Sequence, residues 1–237
     1  MNTNLIHTLL EFVLPRKCAG CEAPKEIFCG LCRQTSYAPG AQCLICGFRN
    51  KTGKICYAHP LIEVGLQSVL WAGRYDGELK EAIWQLKYKK RKELARPLAE
   101  MMFKKFCEID QQNTSPFAII PIPLHFKKQH ERGFNQAELL AREFAILSNT
   151  KCLTNVLVKK RETKAQVEVE NKELRIRNLE NAFEVDAKKL STTQLFNYST
   201  ILLIDDVSTT GATLVCAASA LKKAGAKKIV GLVVAHG

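Results

Sequence analysis

Residues 201–214, Ile-Leu-Leu-Ile-Asp-Asp-Val-Ser-Thr-Thr-Gly-Ala-Thr-Leu, constrain the fold more than any other stretch. Ile201 to Ile204 form an apolar run without polar alternation. Such a run reads as a strand covered on both faces, as in a parallel sheet. Asp205 and Asp206 stand at its carboxyl end, followed by Ser208, Thr209, Thr210, Gly211, Ala212 and Thr213 and then by an apolar helix. In open α/β sheets, ligands bind beyond the carboxyl ends of the strands. The free N–H groups and dipole of a helix N-terminus attract phosphate, and small residues let the backbone approach it. The pattern therefore sets a phosphate cradle beside two carboxylates suited to a diol. A strand whose acids merely cap the next helix is the competing reading, although a cap needs only one acid. No Gly-Lys-Ser/Thr of the ATPase type accompanies the motif.

A phosphate beside a diol describes a ribose 5-phosphate. The stretch resembles the motif by which type I phosphoribosyltransferases bind 5-phosphoribosyl 1-pyrophosphate (PRPP): four apolar residues, two acids, then Thr209-Thr210-Gly211-x-Thr213. The resemblance implies that Asp205 and Asp206 hold the ribose hydroxyls and that Ser208 to Thr213, Ala212 included, hold the 5′-phosphate. It implies an α/β fold, a parallel sheet flanked by helices.

Upstream, Ala118 to Pro123 reads as the first strand of this core, after a polar linker from Gln111 to Pro116. A basic loop, Lys127 to Gln136, precedes a helix with Ala137, Leu140, Ala141 and Phe144 inward. Pyrophosphate needs backbone N–H groups and guanidinium charge close together, and Arg132-Gly133 at a helix start supplies both. In type I phosphoribosyltransferases the loop in this position binds the pyrophosphate of PRPP, which here implicates Arg132, Gly133, Asn135 and Gln136. The C-terminal part adds a helix from Leu214 to Ala224, a stop at Gly225 and a strand from Ile229 to Ala235. His236 reads as incidental.

Seven of the ten cysteines lie between Cys18 and Cys56 and fall in pairs: Cys18/Cys21, Cys29/Cys32, Cys43/Cys46, then Cys56 with His59. Two intervening residues let both side chains reach one tetrahedral metal. Eight candidate ligands suffice for one or two structural zinc ions, paired sequentially or interleaved. A disulfide framework is the alternative, favoured less in an intracellular chain. A segment this small has little core of its own, so metal would supply its folding energy. Cys107, Cys152 and Cys216 are isolated, and Cys216 lies on an apolar helix face.

Between the two parts, Gly65 to Tyr75 reads as a strand or hairpin. A helix starting at Asp76-Gly77 has Leu79, Ala82, Ile83 and Leu86 on one face, and a second, from about Glu93 to Cys107, turns Leu94, Leu98, Met101 and Met102 inward. Between them runs Lys87-Tyr88-Lys89-Lys90-Arg91-Lys92. It is either an exposed turn, a basic lip over the site or a track for a nucleic-acid backbone, with Trp84 and Tyr88 available to stack on bases. The formal charge of +12 agrees with polyanionic partners. The expected organisation is a cysteine-rich zinc-binding module over 1–60, a strand or hairpin plus basic helical segment over 61–110, and a PRPP-binding domain over 111–237. Leu5 to Leu14 is too short and too polar to span a bilayer and lacks the basic start of a secretory signal, so a cytoplasmic protein is expected.

Arg132-Gly133-Phe134-Asn135-Gln136, the Arg161-x-Thr163-x-x-Gln166 stretch, Arg177-Asn178 with Ala182-Phe183, and the cysteine-rich start together resemble the ComF/ComFC family of competence-associated proteins. His59 departs from the pattern, standing where a last cysteine is expected. The resemblance implies a zinc module joined to a phosphoribosyltransferase-type domain that serves the handling of incoming single-stranded DNA, with competence-machinery proteins as partners. Residues 159–177 fall where the fold has a mobile hood that closes over PRPP and excludes water, with Arg161, Thr163 and Gln166 as its functional residues. Transfer from Mg²⁺-bound PRPP would draw on Asp205, Asp206 and Arg132 as catalytic residues. Purine-specific relatives carry an Asp as general base where this chain has Thr209, so the acceptor is open. The rival readings are a catalytically silent PRPP sensor and a single-strand-binding scaffold with a zinc-ribbon interaction module.

Overall fold

The computed structural model describes residues 16–38, 65–109, 117–160, 182–186 and 198–237. In chain order these form a short helix α1 (Gly30–Ser36), strand β1 (Leu66–Arg74), helix α2 (Gly77–Tyr88), a single 3-10 turn (Lys92–Leu94) and helix α3 (Ala95–Ile109). They continue with β2 (Phe117–Pro121), α4 (Phe126–Arg132), α5 (Gln136–Ser148), β3 (Leu157–Lys159), β4 (Phe183–Val185), β5 (Thr200–Ser208), α6 (Ala212–Lys223) and β6 (Ile229–His236).

Four strands form one all-parallel sheet in the order β1-β6-β5-β2, and β3 pairs antiparallel with β4 in a separate two-stranded ribbon. The apolar run of β5 explains its central place, because Ile201 to Ile204 are each at most 1% exposed. Their side chains alternate between two cores. Leu202 and Ile204 pack with Leu70, Leu232 and Ile119 against α2, α3 and α5. Ile201 and Leu203 pack with Val69, Val233 and Ile120 against α6 and the β3–β4 ribbon. This period-two split is what a strand buried on both faces requires.

The segment over 61–110 contributes β1 to the edge of this sheet, as one strand rather than a hairpin, and its two helices to one of the sheet's cores. The expected inward residues of both helices and of α5 are buried. The basic loop expected over Lys127 to Gln136 is mostly helix: Phe126 to Arg132 form α4, which ends where Gly133 takes a left-handed conformation (φ 79°). That stretch contains no proline and no glycine before the stop, so nothing prevents a short helix. β5 leads into α6 on one face of the sheet, while β2 leads through α4 into α5 on the other. Adjacent strands with diverging connections open a crevice at their carboxyl ends, the place where such sheets bind ligands.

Candidate functional site

The β2/β5 crevice is where the acid pair stands. The Ile122 N–H donates to the Ile204 carbonyl (2.8 Å), carrying the pairing one residue beyond β2. Past that point β5 leaves the ladder to β2, and Asp205 and Asp206 follow. Each orders the next peptide: Asp205 Oδ1 accepts from the Asp206 N–H and Asp206 Oδ1 from the Val207 N–H, both at 2.8 Å. Alternation sends their side chains to opposite faces.

Asp206, 4% exposed, lies on the α2 side. Its Oδ2 forms an ion pair with Lys87 Nζ at 2.5 Å, from the last turn of α2. Burial alone would lower the Lys87 ammonium, but the Asp206 carboxylate outweighs it, with Asp205 and Tyr75 adding, and the net direction is upward. Asp205, partly covered, lies on the other face. Burial first, and then the Asp206 charge, hold its carboxyl well above the usual carboxylate range. On that face Lys159 sits over the Phe183 ring (5.4 Å). Burial and the charge of Lys128 depress its ammonium, and Asp205 opposes the shift.

The last residue of β5, Ser208, and the turn that follows it have the form of an anion cradle. Ser208 is 4% exposed and its hydroxyl has no hydrogen-bond partner among the described residues. Thr209 is exposed and Thr210 half-buried, with Thr210 Oγ1 3.5 Å from the Ala212 N–H. Gly211 caps α6 in the left-handed region (φ 74°), which an L side chain adopts only at a cost. Thr213 lies in the first turn of α6, whose N–H groups have no partner within the helix. The Ser208 carbonyl accepts from the Gly237 N–H (3.1 Å) and from His236 Nδ1 (2.8 Å). Since a carbonyl only accepts, His236 carries its proton on Nδ1, and its ring lies 4.7 Å from that of Trp71. His236 thus braces the loop rather than standing incidentally at the end of a strand.

Across the crevice, Asn135 is 7% exposed and caps α5: its Oδ1 accepts from the Ala137 N–H (3.0 Å), and its Nδ2 donates to the Ile122 carbonyl (2.9 Å). Both ends of the amide are used in framework. Arg132 Nη1 hydrogen bonds to the buried Gln136 Oε1, and the guanidinium lies 5.2 Å over the Tyr88 ring. Tyr88 and Trp84 are 60% and 40% exposed with ring centroids 5.9 Å apart, and Lys89 Nζ stands 5.4 Å over Trp84. Lys89, Trp84, Tyr88 and Arg132 therefore form a cation–aromatic ladder leading to the crevice. Of the remaining run, Lys90 and Lys92 are exposed, with Lys92 Nζ 5.2 Å over Phe134. Arg91 differs from its sequence neighbours: it donates to Gln85 Oε1 (2.7 Å) and the Lys17 carbonyl (2.9 Å) and pairs with Glu93 (3.0 Å).

Cys18, Cys21, Cys29 and Cys32 bring their four Sγ atoms within 4.8 Å of one another. Cys18 and Cys32 are 3.7 Å apart and Cys21 and Cys29 3.6 Å, too long for disulfides. A tetrahedral ion with Zn–S bonds of about 2.3 Å sets its ligands about 3.8 Å apart, so the four thiols fit such an ion. The first two cysteine pairs thus close on one centre. Cys43, Cys46, Cys56 and His59 lie outside the described residues, as do Arg161, Thr163, Gln166, Arg177 and Asn178. Ala182 and Phe183 are buried beside α6. Among the described residues, no helix is long and apolar enough to cross a membrane.

Comparison with known proteins points the same way. A family model described as phosphoribosyl transferase domain matches residues 87–237. The chain is 32% identical to Competence protein F of Haemophilus influenzae over 159 residues, covering 66% of this chain and 67% of that protein. It is 26% identical to DNA utilization protein YhgH of Salmonella typhimurium over 231 residues, covering 91% and 95% of the two chains. With Competence protein ComFC of Bacillus subtilis it shares 26% over 209 residues, covering 85% and 80%.

Proposed function

The chain belongs to the ComF/ComFC family and carries its phosphoribosyl transferase domain, and from that premise we propose that it binds Mg²⁺-PRPP in the β2/β5 crevice and handles single-stranded DNA beside it. One observation carries the reading: an acid pair, Asp206 buried and Asp205 partly covered, and an anion cradle whose Ser208 hydroxyl has no partner among the described residues meet at the end of one central strand. An orphaned buried hydroxyl costs free energy unless a ligand oxygen satisfies it.

In this proposal Asp205 and Asp206 accept hydrogen bonds from the ribose 2′- and 3′-hydroxyls. Ser208, Thr209, Thr210, Gly211, Ala212 and Thr213 hold the 5′-phosphate, with the dipole of α6 adding attraction. Arg132, Gly133 and Gln136 receive the pyrophosphate, and Asn135 keeps their turn in place. Mg²⁺, arriving with PRPP, supplies neutralisation of the pyrophosphate charge. As the bond from C1 to the pyrophosphate oxygen lengthens, positive charge gathers on the ribose, and the two carboxylates stabilise it through space. Arg132 stabilises the departing anion. Arg161, Thr163 and Gln166 belong to the hood that keeps water from the ribose.

The ladder of Lys89, Trp84, Tyr88 and Arg132 supports the nucleic-acid part of the proposal. Exposed rings interleaved with cations suit a single strand, whose bases stack while its phosphates are neutralised. The names of the relatives, two of which speak of competence and one of DNA utilization, favour the same partner. Zinc is the metal proposed for Cys18, Cys21, Cys29 and Cys32. Four thiolates leave no open position, so its role is structural; a second ion on Cys43, Cys46, Cys56 and His59 is part of the proposal.

Calorimetric titration of PRPP with Mg²⁺ tests the central claim, with Asp205→Asn/Asp206→Asn as control. Binding by the wild type alone supports the site, and equal binding by both, or by neither, removes it. Release of pyrophosphate from bound PRPP would make the chain a transferase; saturable binding without release would favour a PRPP sensor.

A further inference from the structure

A cation reaches the acid pair from an element that carries no ligand-binding motif. Lys87 retains 16% of its side-chain exposure and Asp206 5%, and the two are in contact at 2.5 Å. Its neighbours Lys89, Lys90 and Lys92 remain exposed. Withdrawing an ammonium from water is costly and is compensated only by a specific partner. A buried carboxylate beside a second, partly covered one has the converse difficulty: without a counter-charge the two would share a proton.

The position of Lys87 is fixed by its helix. Leu79, Ile83 and Leu86 of α2 are fully buried. The last turn is tied to the cysteine segment: Gln85 Nε2 donates to the Ala19 carbonyl, and Arg91 links Gln85 to the Lys17 carbonyl. Among the described residues, the cations that act on the acids from packed elements are Lys87 on α2, with Tyr75 after β1 beside it, and Lys159 on β3, with Lys128 of α4 beside it. Lys87 is the one in ion-pair contact with Asp206.

We propose that Lys87 is a positioning residue of the candidate site: it holds the Asp206 carboxylate in place as an oriented anion, ready for the diol of the ligand. The proposal rests on the PRPP reading, and its test separates the two. Zinc-loaded full-length wild type, Lys87→Met, Lys87→Arg and Lys87→Gln are compared in two measurements. One is the affinity for PRPP with Mg²⁺ across pH; the other is the titration of ¹³C-labelled aspartate carboxyls without ligand.

With the counter-charge gone, Lys87→Met should weaken PRPP binding by about tenfold or more near pH 6 and recover part of that at higher pH. The Asp205 carboxyl, on which the Lys87 charge acts downward, should titrate higher in the same variant. Lys87→Arg, which keeps the charge, should stay within about threefold of wild type. If Lys87→Met does not fold, Lys87→Gln makes the same comparison, because it removes the charge but keeps a donor. Unchanged affinity and unchanged carboxyl titration on loss of the charge would overturn the proposal. So would an equal loss in the Arg and Met variants at every pH, which marks a packing role only. A carboxyl shift in a protein that never binds PRPP would overturn the ligand reading while leaving the effect of Lys87 on Asp206 intact.

Discussion

Gln85, in the last turn of α2, donates from its side-chain amide to the main-chain carbonyl of Ala19, between the first two cysteines, at 3.3 Å. The helix that presents Lys87 to Asp206 is thereby fastened to the cysteine centre. Cys18, Ala19, Phe28, Cys29 and Cys32 are buried in the same core as Leu79 and Leu86, so the segment packs as part of the domain's wall.

Metal removal should therefore be felt at the ligand site. With zinc as proposed on the four thiols, stripping it with a chelator should leave them without the bonds that hold them and loosen the knuckle from α2. A loss of about 3 kcal/mol corresponds to a fall of roughly 6–12 °C in melting temperature for a domain of this size. PRPP affinity should fall alongside it. Thermal melting and calorimetry before and after chelation, with zinc restored as control, check this; an unchanged affinity in the stripped protein would separate the two sites.

Asn135 is expected to behave as framework despite its place in a sequence motif for pyrophosphate. Asn135→Ala loses the cap of α5 and the bond to the Ile122 carbonyl, at a cost of about 1–3 kcal/mol. Its melting temperature should drop by several degrees. Asn135→Asp keeps the cap but sets a carboxylate oxygen against a carbonyl, so it should rescue only part of the loss. Full stability with abolished PRPP binding would instead make Asn135 a direct ligand.

How far the sequence discloses this arrangement depends on whether the cause is local. The apolar run of β5, the glycine at the start of α6 and the spacing of Cys18, Cys21, Cys29 and Cys32 are contiguous patterns, and the structure has them where the sequence puts them; β5 itself runs further, through Asp205 and Asp206 to Ser208, because its pairing with β6 continues to His236. The inward faces of α2, α3 and α5 follow from periodicity for the same reason. In sequence Lys87 is one cation among several, from Lys87 to Lys92; only the packing of α2 over β5 separates it from them. Lys159 and His236 likewise acquire their places beside Asp205 and Ser208 through pairing between distant strands. Arg91 has the sequence setting of a surface charge, and its bonds to Lys17 and Gln85 depend on a chain segment far from it in sequence.

PRPP binding should strengthen as pH rises. Burial and the neighbouring Asp206 charge hold the Asp205 carboxyl well above its ordinary range, so it keeps its proton to higher pH than an ordinary carboxyl. A diol needs the ionised form as acceptor, and affinity grows as that proton leaves. The linked effect on stability has the opposite sign. A carboxyl raised in the folded state favours folding most below its unfolded value of about 3.9, and that advantage is lost as pH rises through the folded value. Asp205→Asn should therefore flatten the pH dependence of stability and raise the melting temperature at neutral pH while abolishing PRPP binding. A variant that melts lower at neutral pH would contradict the assignment.

The cation–aromatic ladder predicts two separable effects on single-stranded DNA. Trp84 and Tyr88 are exposed, so replacing either by Ala should leave melting nearly unchanged. Removing either ring costs about 1–3 kcal/mol of base stacking, or roughly 5- to 150-fold in affinity, at every salt concentration. Lys89→Ala and Lys90→Ala should instead lower the salt slope, by about 0.7 for each single-strand phosphate that the lysine neutralises. Tyr88→Ala carries a further consequence, because Tyr88 supports the guanidinium of Arg132. It should weaken both DNA and PRPP, whereas Trp84→Ala should weaken DNA alone. Fluorescence anisotropy with a labelled oligonucleotide at several salt concentrations, beside PRPP calorimetry, reads all four variants. Equal effects of Trp84→Ala and Tyr88→Ala on PRPP would mean that the ladder does not reach the crevice through Arg132.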